Sequence, residues 1–125
     1  MSHNTESTLL VYGFHINEEE TLKKFLEENN LPGYKVIDEQ KYDLVLEDII
    51  DGKQNESING ELPNEKVVLF YQCNDEEITS AMRQMKASYA SKPIFAVVTP
   101  TSIKWKFSYL LEHLMEEKSR FENMK

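Results

Sequence analysis

Hydrophobic and polar positions alternate in blocks along this chain. Residues 8–14 (TLLVYGF) form a nearly continuous apolar run rich in strand formers, which predicts a buried strand. A charged stretch over 18–31 follows, in which Leu22, Phe25 and Leu26 share one helical face, while Glu19 with Lys23 and Glu20 with Lys24 make supporting pairs four residues apart. Pro32-Gly33 ends that helix. Residues 34–37 (YKVI) predict a short strand, and the polar Lys35 assigns it to an edge or a half-exposed face. A second, shorter helix over 44–50 is closed by Gly52.

Residues 51–65 (DGKQNESINGELPNE) are polar, broken by glycine and proline and without periodicity, the pattern of a long exposed connection. Beyond it the blocks begin again. VVLFY at 67–71 predicts a strand, 75–89 a helix with Ile78, Met82, Met85 and Tyr89 on its buried stripe, and PIFAVV at 93–98 a fourth strand. From Ser102 a long helix carries Ile103, Phe107, Leu110, Leu111 and Leu114 on one face and runs to about residue 121.

The order strand, helix, strand, helix thus occurs twice, which suggests two divergent repeats over 8–52 and 66–121. A slide of 57 positions lays Val11, Asn17, Glu19 and Glu20 on Val68, Asn74, Glu76 and Glu77. A slide of 61 lays Val36 on Val97, and Leu46, Ile49 and Ile50 on Phe107, Leu110 and Leu111. Identities are few, and the first helices of the two halves differ in apolar phase. The expected fold is one α/β domain over 1–125: a mainly parallel four-stranded sheet flanked by helices, with VVLFY and PIFAVV covered on both faces.

Composition narrows the function. A chain of 125 residues suits one compact domain. Its 22 acidic against 14 basic residues give a net charge of -8, which repels nucleic acid and anionic lipid, so neither is an expected partner. The single cysteine, Cys73, forms no internal disulfide or multi-cysteine zinc site and fits a reducing compartment. No positive n-region precedes the short apolar run at 9–12, and no stretch has the length of a membrane span, so the cytoplasm is the expected location.

In the second half, the strand PIFAVVTPTS leads into a helix that carries Trp105 and the apolar LLEHL. Over residues 66–114 this stretch resembles a bacterial family known only as domain of unknown function 3783, with Thr99-Pro100-Thr101 and Trp105 as its most specific elements. The resemblance implies a bacterial housekeeping or regulatory module. It brings no activity, ligand or catalytic residue with it.

Each chemical candidate competes with a structural reading. Asn17-Glu18-Glu19-Glu20 and Asn74-Asp75-Glu76-Glu77 both read as capping boxes, with Asn accepting from exposed N–H groups and the third Glu reaching back. The alternative, a cation held by two carboxylate clusters at one end of the sheet, is unnecessary because acidic first turns already suit the helix macrodipole. No metal or cofactor is therefore expected. Thr99-Pro100-Thr101-Ser102 lies between a strand end and a helix start, where an anion would find N–H groups and three hydroxyls, though capping by a proline-stiffened turn accounts for the same residues.

Cys73 directly precedes the Asn74 cap, where the positive helix end would lower its thiol pKa, and His15 holds nearly the same place in the first half. Neighbouring first and third strands would bring these two together as a Cys-His pair, against the plainer reading of Cys73 as a small buried hydrophobe. Trp105 and Tyr109 fall about 160° and 200° around the last helix from Phe107, with His113 continuing the row. Such an outer aromatic ridge indicates a partner or cover by the 51–65 connection, unless Trp105 sits in a loosely wound first turn and folds inward.

Glycine-rich phosphate loops, HExxH and GxSxG motifs are missing from the chain. The leading expectation is a non-enzymatic regulatory or protein-interaction module, homodimeric through Trp105, Tyr109 and His113 or bound there to another protein. The alternative is a small-ligand or anion site built from Thr99, Thr101, Ser102, His15 and Cys73 at the C-terminal edge of the sheet, with weak enzymatic activity.

Overall fold

The two most deeply buried strands pair with each other at the centre of the protein. In the computed structural model, which describes residues 7–54, 62–88 and 92–123, β1 (Thr8–Tyr12) lies beside β3 (Val67–Tyr71) in a four-stranded sheet of order β2-β1-β3-β4. The outer strands are β2 (Tyr34–Val36) and β4 (Ile94–Val97). Both β1 with β2 and β3 with β4 run parallel, as the helical crossovers require, but β1 and β3 are antiparallel, with Leu10 opposite Leu69. The sheet is thus mostly parallel and not entirely so. A crossover helix imposes parallel pairing within each half, whereas the long connection between the halves leaves the central pair free to run either way.

Helices cover both faces. α1 (Ile16–Glu28) and α3 (Asp75–Ser88) share the face of Leu9, Val11, Val68 and Phe70, burying Leu22, Leu26, Ala81 and Met85 there. α2 (Leu46–Ile50) and α4 (Phe107–Asn123) share the other, where Leu46, Ile49, Ile50, Phe107 and Leu111 meet Leu10, Tyr12, Val67 and Leu69. Tyr89 and residues 55–61 of the connection lie outside the described residues. Leu62 is not part of an exposed loop, since it packs on the α2/α4 cluster.

Central strands bury both faces, as continuous apolar runs should. The covering expected for PIFAVV is incomplete, because β4 is an outer strand and Val97 is 50% exposed. Lys35 does mark an edge. Its ammonium donates to the carbonyl of Ile50 at 3.1 Å, closing the C-terminal end of α2.

The first cap lies two residues earlier than Asn17. α1 starts after His15, whose N–H donates to Glu18 Oε1 at 2.9 Å. Asn74 caps α3 as expected: its N–H donates to Glu77 Oε1 at 2.9 Å, and Glu77 N–H donates to Asn74 Oδ1 at 2.8 Å. Gly13 (φ 84) and Gln72 (φ 55) turn the chain in the same way before the two caps. The structural correspondence at this point is therefore 59 positions, not 57, pairing His15 with Asn74 and Glu18 with Glu77. At that spacing Leu22 and Leu26 correspond to Ala81 and Met85, all four buried, so the apparent mismatch in apolar phase came from the slide.

The last helix also starts late. Ser102–Lys104 is a single 3-10 turn, Trp105 is extended (φ -91, ψ 150), and α4 begins at Phe107. A bridge between Val45 and Lys106 makes the break: Leu46 N–H donates to Trp105 O and Phe107 N–H donates to Leu44 O, each at 2.9 Å. These bonds tie the starts of α2 and α4 together, and the bridged pair Val45 and Lys106 stands 61 residues apart, the spacing at which Leu46 corresponds to Phe107.

Candidate functional site

The proposed ligand residues do not converge. Because β1 and β3 are antiparallel, the loop carrying His15 leaves one end of the sheet and the loop carrying Cys73 leaves the other. The Cys-His pair is therefore excluded by topology, and so is a cation shared between the two acidic first turns, which begin at opposite ends. Among the described residues no group of three His, Cys, Asp or Glu side chains is placed to hold a metal. Thr99 does leave the same end of the sheet as Cys73, since β3 and β4 are parallel. They then diverge onto opposite faces, Cys73 packing with the α1/α3 cluster and Ile103 with the α2/α4 cluster.

The Thr99–Ser102 turn satisfies itself. Thr99 N–H donates to Ser102 Oγ at 3.0 Å, Ser102 N–H donates to Thr99 Oγ1 at 2.9 Å, and the two hydroxyls lie 3.2 Å apart. Ser102 is buried and Thr101 exposed. This reciprocal pattern is a capping arrangement, and it uses the donors an anion would need. Shallow depressions of about 210, 360 and 530 Å³ are lined by residues of α1, β2 and α3 with their flanking loops, and by none of the five candidates.

Cys73 is the opposite of an activated thiol. Burial, with the Glu77 carboxylate nearby, pushes its pKa up to about 11, and its sulfur lies 3.8 Å from Thr8 O and 3.6 Å from Tyr71 O. The helix end does not overcome the loss of water. Burial likewise raises Tyr12 to about 12, helped by Tyr42 and Glu65, and raises Tyr34 and Tyr42. In each case the folded protein holds the proton more tightly than the unfolded chain does. The contribution is complete below the ordinary values of 9.0 for the thiol and 10.0 for the phenols, and it is lost as pH climbs through about 11 and 12. Denaturant unfolding should show a steady loss of stability above pH 9, and alkylation of native Cys73 should stay slow until pH approaches 11; fast labelling at pH 7 would contradict the raised pKa of this half-buried thiol.

The aromatic ridge is assembled. The Trp105 ring meets Tyr109 edge-on at 5.0 Å and stacks on His113 at 5.4 Å and 27°, while Tyr109 meets His113 edge-on at 4.7 Å. Trp105 reaches this position from the extended residue before α4, not from the helix itself, and it is half-buried against the core. Inward folding and the outer ridge are therefore both present: Trp105 is the anchored inner member, and Tyr109, 49% exposed, is the outer one. Periodicity located Tyr109 and His113 but had no means of detecting the strand-like bridge that displaces Trp105.

These features define a mixed α/β protein with one sheet and helices on both faces, carrying an aromatic ridge at the start of α4. Residues 66–121, spanning β3 to α4, match the family described as Domain of unknown function (DUF3783). No curated protein and no solved structure matches the chain. No helix among the described residues is long and apolar enough to cross a membrane.

Proposed function

We propose that the protein is a non-enzymatic protein-interaction module whose docking face is the ridge of Trp105, Tyr109 and His113. The observation that carries this reading is the mutual packing of the three rings with Tyr109 half-exposed at their outer side. Trp and Tyr supply large contact area from few rotatable bonds, and rings already held against one another lose little freedom on binding. The dispersal of His15, Cys73, Thr99, Thr101 and Ser102 over both ends and both faces favours the same reading over a small-ligand site.

The role is regulatory and bacterial on this proposal, following the family resemblance of the second half. The correspondence of caps, turns and helix starts between residues 8–52 and 66–121 further supports an internal duplication. The ridge belongs to one half only, since Leu44, Asp48 and Gly52 stand at the positions 61 residues earlier.

The first occupant to test is the same face of a second copy. Sedimentation at tens of micromolar, where weak contacts are still populated, should show association that a Trp105→Ala, Tyr109→Ala variant loses. A variant that associates like the native protein would rule out the ridge dimer.

A further inference from the structure

The outer edges of the sheet differ in chemistry, and the difference is complementary. In β4, Ile94 N–H donates to Lys66 O and Val98 N–H donates to Phe70 O, so by alternation the backbone groups of Phe95 and Val97 point away from the sheet. In β2, Gly33 O accepts from Leu9 and Ile37 N–H donates to Val11 O, which leaves Tyr34 and Val36 pointing outward. Among the described residues no backbone bond joins either edge to another element. Pro93 to Val98 carries no charge, so β4 lacks the charged residue that usually blunts an edge.

Charge is divided between the two halves of the sequence. Residues 1–65 hold 15 acidic and 5 basic side chains, a net of -10, while residues 66–125 hold 7 and 9, a net of +2. β2 is followed by Asp38 and Glu39, β4 is preceded by Lys92, and Glu39 and Lys92 make no ion pair among the described residues.

We propose that β4 of one copy pairs antiparallel with β2 of a second copy, giving a head-to-tail assembly with one continuous sheet. The directions fit, because β2 and β4 already run antiparallel within one chain. Matching the outward residues places Phe95 opposite Val36 and Val97 opposite Tyr34. Beyond the strands, the turn carrying Asp38 and Glu39 and the segment carrying Lys92 fall at the same end of this pairing, with opposite charge. All four apolar residues lie on the α1/α3 face, as their partners Val68, Val11, Phe70 and Leu9 show. On that face a depression of about 360 Å³ beside β2, lined by Leu26, Leu31 and Tyr34, lies where the exposed Val97 side chain would enter. Backbone, apolar and charge complementarity therefore coincide in one register. An interface between two different surfaces does not close after two copies, so the assembly grows.

Sedimentation and light scattering over a concentration series up to about 1 mM, where even a weak contact is populated, test this. The average mass of the native protein should rise past two chains. Val97→Lys, which disables only the β4 edge, and Glu39→Lys, which disables only the β2 edge, should each weaken association roughly tenfold. Both positions are exposed, so both variants keep the fold. Mixed together they should form a one-to-one pair that stops there, because each retains the edge the other lacks. Trp105→Ala, Tyr109→Ala, which removes only the ridge contact at tens of micromolar, should still grow past two chains in the upper part of the series, which separates this assembly from the ridge. A native protein that stays monomeric throughout, a native assembly that stops at two chains, a Val97→Lys protein that associates like native, or a mixture that behaves as two monomers would each overturn it.

Discussion

Replacing Gly13 with alanine should destabilise the protein by about 3 kcal/mol or more, the largest effect expected among Gly13, Gly33 and Gly52. Two penalties combine. The residue has φ +84, where an L side chain is strained by about 1–2 kcal/mol. An added Cβ would also lie 1.9 Å from the carbonyl oxygen of Glu65, a backbone atom that cannot rotate aside. That backbone is held on both sides: Tyr12 donates its hydroxyl to Pro63 O at 2.6 Å, and Lys118 reaches the Glu65 carboxylate at 3.1 Å. Gly52 and Gly33 provide the controls. Gly52 shares the strained φ but has open space around its missing Cβ, so alanine there should cost only about 1 kcal/mol, and Gly33→Ala should fall within about 0.5 kcal/mol of native. Urea unfolding of the three variants separates the terms. Equal stabilities for Gly13→Ala and Gly52→Ala would mean that the close approach to Glu65 contributes nothing.

Phe107→Ala should cost about 3–5 kcal/mol, a large part of the stability of a domain this size. Phe107 is fully buried, with its ring 5.1 Å from Tyr12 and 5.8 Å from Tyr42. Its N–H also closes the bridge to Leu44. Truncation would leave a cavity between β1, the segment before α2 and α4, elements from both halves that cannot all collapse inward together. Unfolding in denaturant measures the loss. Tyr109→Ala is the natural comparison, because its half-exposed ring should cost far less; similar losses at both positions would mean that Phe107 does not join the two halves.

Most elements were legible in the sequence because their apolar spacing is what burial on one or both faces requires. TLLVY and VVLFY have no polar face to expose, and Leu22 with Leu26, like Ile78 with Met82 and Met85, recur at helical intervals and pack on one cluster, although the fully buried Ala81 of the same helix was not singled out. Lys35 disclosed an edge for the same reason. What spacing does not encode is direction. Nothing in residues 51–65 says whether β3 returns beside β1 parallel or antiparallel, and the Cys73–His15 pairing depended on that choice alone. The start of α4 was hidden for a related reason: Ser102 to Phe107 holds no glycine or proline, and the chain leaves the helix there because Leu44 and Leu46, distant in sequence, bond to Phe107 and Trp105 across the bridge. Asn17 attracted the first cap because asparagine is the better capping residue, yet the turn at Gly13 brings the helix in two residues sooner at His15.

The central β1–β3 pairing also dictates when this protein can fold. β1 leaves the ribosome before β3, and its inner edge has no strand to bond until residues 67–71 have been made. During that interval a nascent chain exposes one of its most apolar segments, and closing so large a loop makes folding slow relative to a helical protein of equal length.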